Sequence, residues 1–365
     1  MIKILPKPLS LGLILLLAVA CQKRILVEVD HYERNGELDK AELALTRHLE
    51  THPDDNAARF QLGELHGRVG QYAQMLGDFA AVEKNDGRWR DKIENRKEFY
   101  WRKNFNDGVA ALKRSEPQQA ITPLRHSVAI FPERHAAYPA LAAAILATPD
   151  SSGAQPALEK AGALNENDLE SRHALQQLYY NTGRHQEALK VSAEILQKSP
   201  QDLSALRCRA LALQQLQSAE TEEAFKALLR QSIDADDWLA FAMYYYRRQQ
   251  HEYALLLFEQ VLKSRDLDPG ANGGAPSSGA SNHRAIRLGS HSSMPSEELY
   301  RYLGDCAWHL GDYAGMSQWY ARLIETRPGD VSALQNLLLA AQALGKLDEA
   351  ERIKKELDQL TSEQE

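Results

Sequence analysis

The sequence has few cysteines, few β-branched residues and no apolar run long enough to cross a bilayer as a helix. Its three cysteines among 365 residues show neither a CxxC pair nor a Cys/His zinc spacing, which excludes a disulfide-rich scaffold. The scarcity of Val and Ile, beside abundant Ala, Leu, Gln, Glu and Arg, favours helix over strand. The most apolar segment, residues 9–20, has 12 residues, whereas a transmembrane helix needs about 20.

The sequence also lacks the motifs of the common catalytic and cofactor sites. It contains no HExxH, no GxSxG and no GxxxxGK[ST], and the glycines of 270–274 follow no predicted strand. His48 and His52 are four residues apart and would share a helix face, but no third metal ligand accompanies them. The sequence therefore predicts no enzyme, no cofactor and no metal site.

The charge of the chain argues against a nucleic-acid partner. Without Lys3 and Lys7, which precede Cys21, the chain has 41 basic and 50 acidic residues, a net charge of −9. An acidic balance of this size disfavours general binding to nucleic acid or to anionic lipid. It does not indicate which partner the protein binds.

The N-terminus has the pattern of a processed targeting segment. Lys3 and Lys7 precede the apolar residues 9–20, and Ala18-Val19-Ala20-Cys21 follows the pattern of a cleavage site. This segment resembles the lipobox of bacterial lipoproteins, although that family usually has Leu where this chain has Ala18. The resemblance implies that residues 1–20 are a signal peptide and that Cys21 carries fatty-acyl chains such as palmitate. Gln22 after the cysteine implies the outer membrane, with the protein facing the periplasm. The alternative is an ordinary cleaved signal peptide.

Residues 297–330 predict a pair of short helices. Tyr300, Leu303 and Ala307 share one face of a first helix, and Gly311 starts a turn. Gly304 allows a second helix to approach closely. The apolar face and the end of that helix are marked by Tyr313, Met316, Tyr320, Leu323 and Pro328. Two such helices cannot bury their apolar faces alone, so the pattern predicts stacked units.

This pattern resembles the tetratricopeptide repeat, and it returns through most of the chain. Gly36 and Gly70, for example, are 34 residues apart. The resemblance implies an all-α fold, a right-handed superhelical solenoid of helix–turn–helix repeats. The predicted units are 22–55, 56–89, 101–134, 135–168, 169–202, 203–234, 235–268, 297–330 and 331–362.

Breaks in the repeat predict the domain organisation. After the signal peptide, 1–20, we expect an N-terminal repeat array over 21–265, with an insert near 86–100. Residues 266–296 are rich in Gly, Ser, Pro and Asn and predict a flexible loop. A C-terminal pair of repeats over 297–365 follows. Alternatively, the loop bulges from one continuous solenoid.

The family resemblance also implies where partners bind. In tetratricopeptide arrays the first helices line a groove that holds a partner protein or peptide. Among the predicted groove residues Tyr246, Arg247 and Trp308 stand out, because Tyr, Arg and Trp dominate binding hot spots. The alternative is that these side chains pack against the neighbouring repeat. The full predicted set is Glu64, Arg68, His173, Gln177, Tyr180, Asn181, Met243, Tyr246, Arg247, Tyr302, Asp305, Trp308, His309, Gln335 and Asn336.

The insert is a second candidate surface, because basic and aromatic residues alternate there. Together they would bind an anionic glycan, a lipid headgroup or an acidic partner. The favoured alternative is a lengthened helix whose aromatic side packs and whose charges are solvated. The residues are Arg88, Trp89, Arg90, Lys92, Arg96, Lys97, Tyr100 and Trp101.

We therefore expect a lipid-anchored scaffold that binds partner proteins in an outer-membrane assembly for pili, secretion or exopolysaccharide export. Two alternatives remain open. One is an adaptor or regulator of peptidoglycan enzymes or envelope proteases, and the other is a glycan-binding lipoprotein. The sequence does not determine the oligomeric state.

Overall fold

The structure, a computed structural model, describes residues 24–267 and 294–362. In these ranges it contains eighteen α-helices and no strand. They form nine consecutive pairs, in which odd-numbered labels denote the first helix and even-numbered labels the second. The pairs are α1 (24–34) and α2 (Leu38–Thr51), α3 (Asn56–Arg68) and α4 (Tyr72–Asn85), α5 (Arg90–Lys113) and α6 (Pro117–Ile130), α7 (Ala137–Leu146) and α8 (Ala154–Leu164), α9 (Leu169–Asn181) and α10 (His185–Lys198), α11 (Leu203–Gln215) and α12 (Thr221–Leu229), α13 (Ala235–Arg247) and α14 (His251–Leu267), α15 (Ser296–His309) and α16 (Tyr313–Thr326), and α17 (Val331–Ala343) and α18 (Leu347–Ser362).

The turn inside a pair has the same backbone geometry in eight of the nine pairs. After the first helix one residue adopts a positive φ, and the next amide donates back to a carbonyl in the last turn of that helix, as Asp312 N does to Ala307 O at 2.9 Å. This is the Schellman ending of a helix, for which glycine is the least strained residue. Glycine occupies the position in five turns, at Gly36, Gly70, Gly183, Gly311 and Gly345. Ser115, Gln217 and Gln249 occupy it in three more, which explains why those repeats are harder to recognise in the sequence.

Small residues bring the two helices of a pair into close contact. A Cβ atom built on Gly304 would lie 2.6 Å from the ring of Tyr320, and one on Gly63 would lie 2.7 Å from the ring of Phe79. Both distances are too short for carbon atoms without a shift of the neighbour. The predicted role of Gly304 in helix approach is confirmed.

Consecutive pairs are joined by a recurring polar contact between first helices. Asp168, Asp202, Asp234 and Asp330 each cap the start of a first helix by accepting a backbone N–H. Each of them also contacts a basic side chain of the preceding pair, on its first helix or, for His135, in the turn just before that helix. The contacts are His135–Asp168 at 2.6 Å, His173–Asp202 at 3.1 Å, Arg207–Asp234 at 3.0 Å, and Arg301–Asp330.

The chain divides into two compact units, of which unit 1 ends at Ser171 and unit 2 begins at Arg172. Unit 2 has one hydrophobic core that reaches from α11 to α18. Within it α14 and α15 contact each other, and Phe258 stacks on Tyr302 with ring centroids 5.4 Å apart. The predicted loop 266–296 lies mostly outside the described residues, and the predicted domain boundary there stays a prediction. The signal peptide and Cys21 also lie outside the described ranges.

The insert of unit 1 lengthens a first helix. A 3₁₀ turn at Gly87–Trp89 leads into α5, which has 24 residues, whereas α3 has 13. Ile93 and Tyr100 of α5 are buried in a core with Phe60, Met75 and Phe79. The described part of the chain has no helix both long and apolar enough to span a membrane.

Candidate functional site

The first helices of unit 2 bring five of the predicted groove residues into one group of ring and hydrogen-bond contacts. We call it the Trp308 cluster: Tyr246 of α13, His251 of α14, Tyr302, Asp305, Trp308 and His309 of α15, and Tyr320 of α16. Tyr246 meets the ring of Tyr302 edge to face, with centroids 4.9 Å apart. The cluster therefore spans two consecutive helix pairs.

Asp305 lies at the centre of the cluster and is occupied by two hydroxyl groups. The Tyr320 hydroxyl donates to its Oδ1 at 2.6 Å, and the Tyr246 hydroxyl approaches its Oδ2 at 3.5 Å. Burial and the Asp305 charge raise the pKa of Tyr246 to about 12, and the same two causes raise the pKa of Tyr320. Both tyrosines stay protonated and remain hydrogen-bond donors at neutral pH. Each oxygen of the Asp305 carboxylate therefore already faces a tyrosine hydroxyl of the same chain.

Two stacked histidines connect Asp305 with the surface. The rings of His251 and His309 are nearly parallel, with centroids 4.2 Å apart, and Trp308 packs against His309 at 4.9 Å. Burial, and then the neighbouring His309, lower the pKa of His251. Trp308 is 47% exposed, although one side of its indole is held by His309. It is an exposed aromatic side chain on an ordered base.

Arg247 differs from the other arginines on the first helices of unit 2. Arg207 pairs with Asp237, Arg301 with Asp330, and Arg172 and Arg209 each lie 3.7 Å from a glutamate. Arg247 is exposed, and no carboxylate lies within ion-pair distance of it among the described residues. Burial raises the pKa of Tyr302, and the charge of Arg247 lowers that pKa by a smaller amount. Arg247, which follows Tyr246 in the chain, and Trp308, a member of the cluster, are thus both exposed.

The other predicted groove residues of unit 2 have varied environments. His173 forms the inter-pair contact with Asp202 described above, and Tyr180 meets the ring of His185 edge to face. Met243 is 7% exposed and packs in the core, so it offers no surface to a partner. The remaining polar residues, Gln177, Asn181, Gln335 and Asn336, are half-buried or exposed.

The predicted groove residues of unit 1 are engaged in ion pairs. Glu64 pairs with Arg96 of α5 at 2.6 Å, and Arg68 pairs with Glu33 of α1. Tyr100, which was grouped with the exposed surface, is buried and donates its hydroxyl to the carbonyl of Glu64 at 3.1 Å. These side chains hold consecutive first helices together.

The basic and aromatic residues of the insert are also largely satisfied within the chain. Lys92 lies over the rings of Phe60 and Trp89, 4.3 and 4.8 Å from their centroids. Trp101 stacks on Phe105 at 5.0 Å, with the Arg134 guanidinium over its ring. The ion pairs are Arg88–Asp86, Arg90–Glu83, Arg96–Glu64 and Lys97–Glu94. The structure thus favours the packed helix over a binding surface, with the charges paired as well as solvated.

Within the described ranges no group of three or more His, Cys, Asp or Glu side chains is arranged to hold a metal ion. His48 and His52 stack at 4.5 Å, and His48 contacts the α3 cap Asp55 at 2.9 Å, which gives the pair a structural role. Sequence reasoning missed His251 and Tyr320, because it searched the first helices alone. Both are on second helices and reach the cluster through the close approach within a pair.

No known protein-family model and no curated protein matches this sequence. Several solved structures resemble it. MamA from Desulfovibrio magneticus RS-1 is 16% identical, with a TM-score of 0.44 over 46% of this chain and 97% of that one. The structure of pilF from Pseudomonas aeruginosa is 18% identical, with a TM-score of 0.43 over 66% of this chain and 97% of that one. The TPR domain of P58(IPK) is 18% identical, with a TM-score of 0.32 over 97% of this chain and 96% of that one.

Because these TM-scores are below 0.5, the repeat class of the chain rests on its own helix pairs. That class is indicated by the 13- and 14-residue helices, by the repeated Schellman turns and by the glycine contacts at Gly63 and Gly304. The chain is an all-α repeat protein of the tetratricopeptide type, and this prediction is confirmed.

Proposed function

We propose that the protein is a lipid-anchored scaffold of a bacterial envelope, which binds a partner protein or peptide on the first helices of unit 2. The observation that carries the proposal is the Trp308 cluster, which exposes Trp308 and adjoins Arg247, a side chain with no ion-pair partner among the described residues. Exposed Trp and Arg on a rigid base are typical of binding hot spots. The lipobox-like segment that ends at Cys21 supports the anchor, the outer membrane and the periplasmic orientation.

Within this proposal, an assembly for pili, secretion or exopolysaccharide export is the favoured setting. An adaptor of peptidoglycan enzymes or envelope proteases is the runner-up. Direct glycan binding through the insert has less support, because its cations are paired with carboxylates and rings of the same chain.

Cross-linking in living cells, with the protein at its native level, tests the binding site. Mass spectrometry would compare the proteins captured by the wild type with those captured by Trp308→Ala and Arg247→Ala. Tyr253→Ala is the matched control, because Tyr253 is 54% exposed but belongs to a second helix, α14. We expect both cluster variants to lose a partner that the control retains. If all four proteins capture the same set, the binding site is wrong.

Cell fractionation tests the anchor separately. Because Cys21 would carry the acyl chains, Cys21→Ser should move the protein from the membrane pellet to the soluble fraction. A Gln22→Asn variant, which keeps the cysteine, should still pellet with membranes. Cys21→Ser protein that remains in the pellet after a carbonate wash would contradict lipid anchoring.

A further inference from the structure

Two exposed side chains at the Trp308 cluster, Arg247 and Trp308, indicate which chemistry a partner needs. We propose that Arg247 and Trp308 form a two-point docking site for an extended peptide that carries an acidic side chain near an apolar one. This inference rests on the proposed function, since it concerns the same wall of first helices. It adds to the proposed function the charge of the bound segment and the spacing between its acidic and apolar residues.

The charge of the partner follows from which groups are occupied. The carboxylate at this site, Asp305, already receives the Tyr320 hydroxyl at 2.6 Å and has the Tyr246 hydroxyl nearby. The guanidinium of Arg247 is exposed and has no carboxylate partner among the described residues. The Arg247 guanidinium is therefore available to an anionic partner, although Glu298 of α15 also acts on the neighbouring Tyr302. A carboxylate is the group that a guanidinium binds through paired, charge-assisted hydrogen bonds.

The apolar half of the site is Trp308. Its indole is 47% exposed and is supported on one side by His309, which in turn stacks on His251. Because His309 packs against the ring before binding, less side-chain freedom is lost when a partner covers it than for an unsupported indole.

The spacing follows from the repeat. Arg247 ends α13 and Trp308 lies at the end of α15, so the two groups occupy equivalent ends of successive first helices. A path of ring contacts leads from Tyr246, the residue before Arg247, to His251, His309 and Trp308. Packed helices lie about 8–10 Å apart, and an extended peptide advances about 3.3 Å per residue. The acidic and apolar residues of the partner should therefore be about three positions apart.

A phage library of random 12-residue peptides tests the inference directly. It would be selected against the full-length protein in detergent micelles and, in parallel, against the charge-reversal variant Arg247→Glu. We expect wild-type selections to enrich Asp or Glu two to four positions from Leu, Ile, Phe or Trp. The Arg247→Glu selections should enrich Lys or Arg at that place instead. Identical motifs from both proteins, or neutral motifs from the wild type, would overturn the proposal.

Fluorescence anisotropy with the best selected peptide then separates the two halves of the site. Arg247→Gln should weaken the acidic peptide at least fivefold, and it should leave a Gln-for-Glu version of that peptide unchanged. Trp308→Ala should weaken both versions at least fivefold. The matched controls are Arg248→Gln, whose guanidinium lies over Tyr244, and Tyr253→Ala. Equal loss in the controls, or a peptide whose affinity ignores Arg247, would contradict the site.

The peptide experiments and the cellular cross-linking together distinguish a failure of this inference from a failure of the proposed function. If Trp308→Ala loses its partner in cells but selections show no acidic preference, the partner chemistry is wrong and the scaffold proposal stands. If peptidoglycan fragments bind with an affinity that depends on Trp308, and no peptide does, the occupant is a glycan and the inference fails. If neither peptide nor cellular partner depends on Trp308, both proposals fail.

Discussion

At the scale of single residues, the fold depends on a few positions where one atom more or less changes the packing. Gly304 is the clearest example, since its missing Cβ leaves room for the Tyr320 ring. That ring also carries the hydroxyl that donates to Asp305. A glycine in a helix thus positions a group of the candidate site.

Replacing Gly304 with Ala should destabilise the protein. The added Cβ would lie 2.6 Å from Tyr320, so the ring or the helix must shift, at a cost of about 1–3 kcal/mol. Gly77→Ala is the opposite control, because no atom lies within 4 Å of its Cβ position in α4. That substitution should stabilise by about 0.5–1 kcal/mol through helix propensity. Thermal melts followed by circular dichroism would show the two opposite shifts; a Gly304→Ala melting temperature at or above the wild type would disprove the packing argument.

Arg207 is a second position where one side chain decides local stability. Its Nε and Nη2 lie 2.5 and 2.7 Å from the two oxygens of Asp237, whose side chain is 3% exposed. The Ser232 hydroxyl also donates to Asp237 at 2.5 Å. Hydrogen bonding to Asp237 raises the pKa of Arg207, so the guanidinium stays charged.

Arg207→Met should cost about 3–5 kcal/mol, because it leaves the buried carboxylate of Asp237 without its cation. Adding Asp237→Asn should recover part of the loss, since the buried charge is then removed as well. Arg209→Met on the same helix is the control. Its partner Glu220 is exposed and 3.7 Å away, so we expect a loss below about 1 kcal/mol. Urea unfolding would measure all three, and equal losses at Arg207 and Arg209 would show that burial of the pair does not matter.

At the scale of helices and turns, the most informative contact is the histidine stack between α14 and α15. These helices flank the segment 268–293 in sequence and share one core. His251 is half-buried and contacts Tyr246 and His309, and Asp305 is the nearby group that favours its charged form. The contact therefore depends on the protonation state of His251.

Stability should fall as the pH drops below about 6.5, the ordinary pKa of histidine. Burial, and then His309, lower the pKa of folded His251. In that pH range the unfolded chain binds a proton that the folded chain does not, so protonation stabilises the unfolded state and lowers the free energy of unfolding. Burial also lowers the pKa of His126 in unit 1, so this histidine changes the stability in the same direction. His251→Gln should therefore reduce, but not abolish, the loss of melting temperature between pH 7.5 and pH 5.5.

Exposed His31 of α1 provides the control, as His31→Gln should keep the full pH dependence of the wild type. A His251→Gln protein that loses as much melting temperature as the wild type over this range would exclude a contribution from the stack.

At the scale of the whole molecule, each of the two compact units contains hydrophobic core clusters of its own. Clusters in α1–α3 and α3–α6 support unit 1, and one continuous core from α11 to α18 supports unit 2. In a stacked array each helix pair contacts its neighbours, so a block of several pairs can be stable alone.

A fragment of residues 166–365 should therefore fold without unit 1. It keeps Asp168, the N-terminal cap of α9, and every helix of unit 2. We expect a helical circular-dichroism spectrum and a cooperative melt for this fragment. The complementary test is residues 22–165, expressed under the same conditions. A fragment 166–365 that shows no cooperative transition would mean that unit 2 needs unit 1 for stability.

The sequence by itself determined the repeat class, because the 34-residue pattern reflects local rules. Apolar spacing defines helix faces, and residues such as Gly36, Gly70 and Gly311 mark turns that need a positive φ. The sequence also nominated Tyr246, Arg247 and Trp308. It did not show that His173 and Glu64 are occupied by contacts between pairs, nor that Met243 is buried.

Only the tertiary structure decided which polar groups remain open, since pairing depends on residues that are 15 to 29 positions away in the chain in the two examples that follow. Asp305 is occupied because Tyr320 reaches it across the close approach at Gly304, and Arg301 is occupied because Asp330 caps the next first helix. Arg247 stays free because no such carboxylate meets it in the described part of the chain. Helix formation follows from neighbours in the sequence, whereas an available charge follows from neighbours in space.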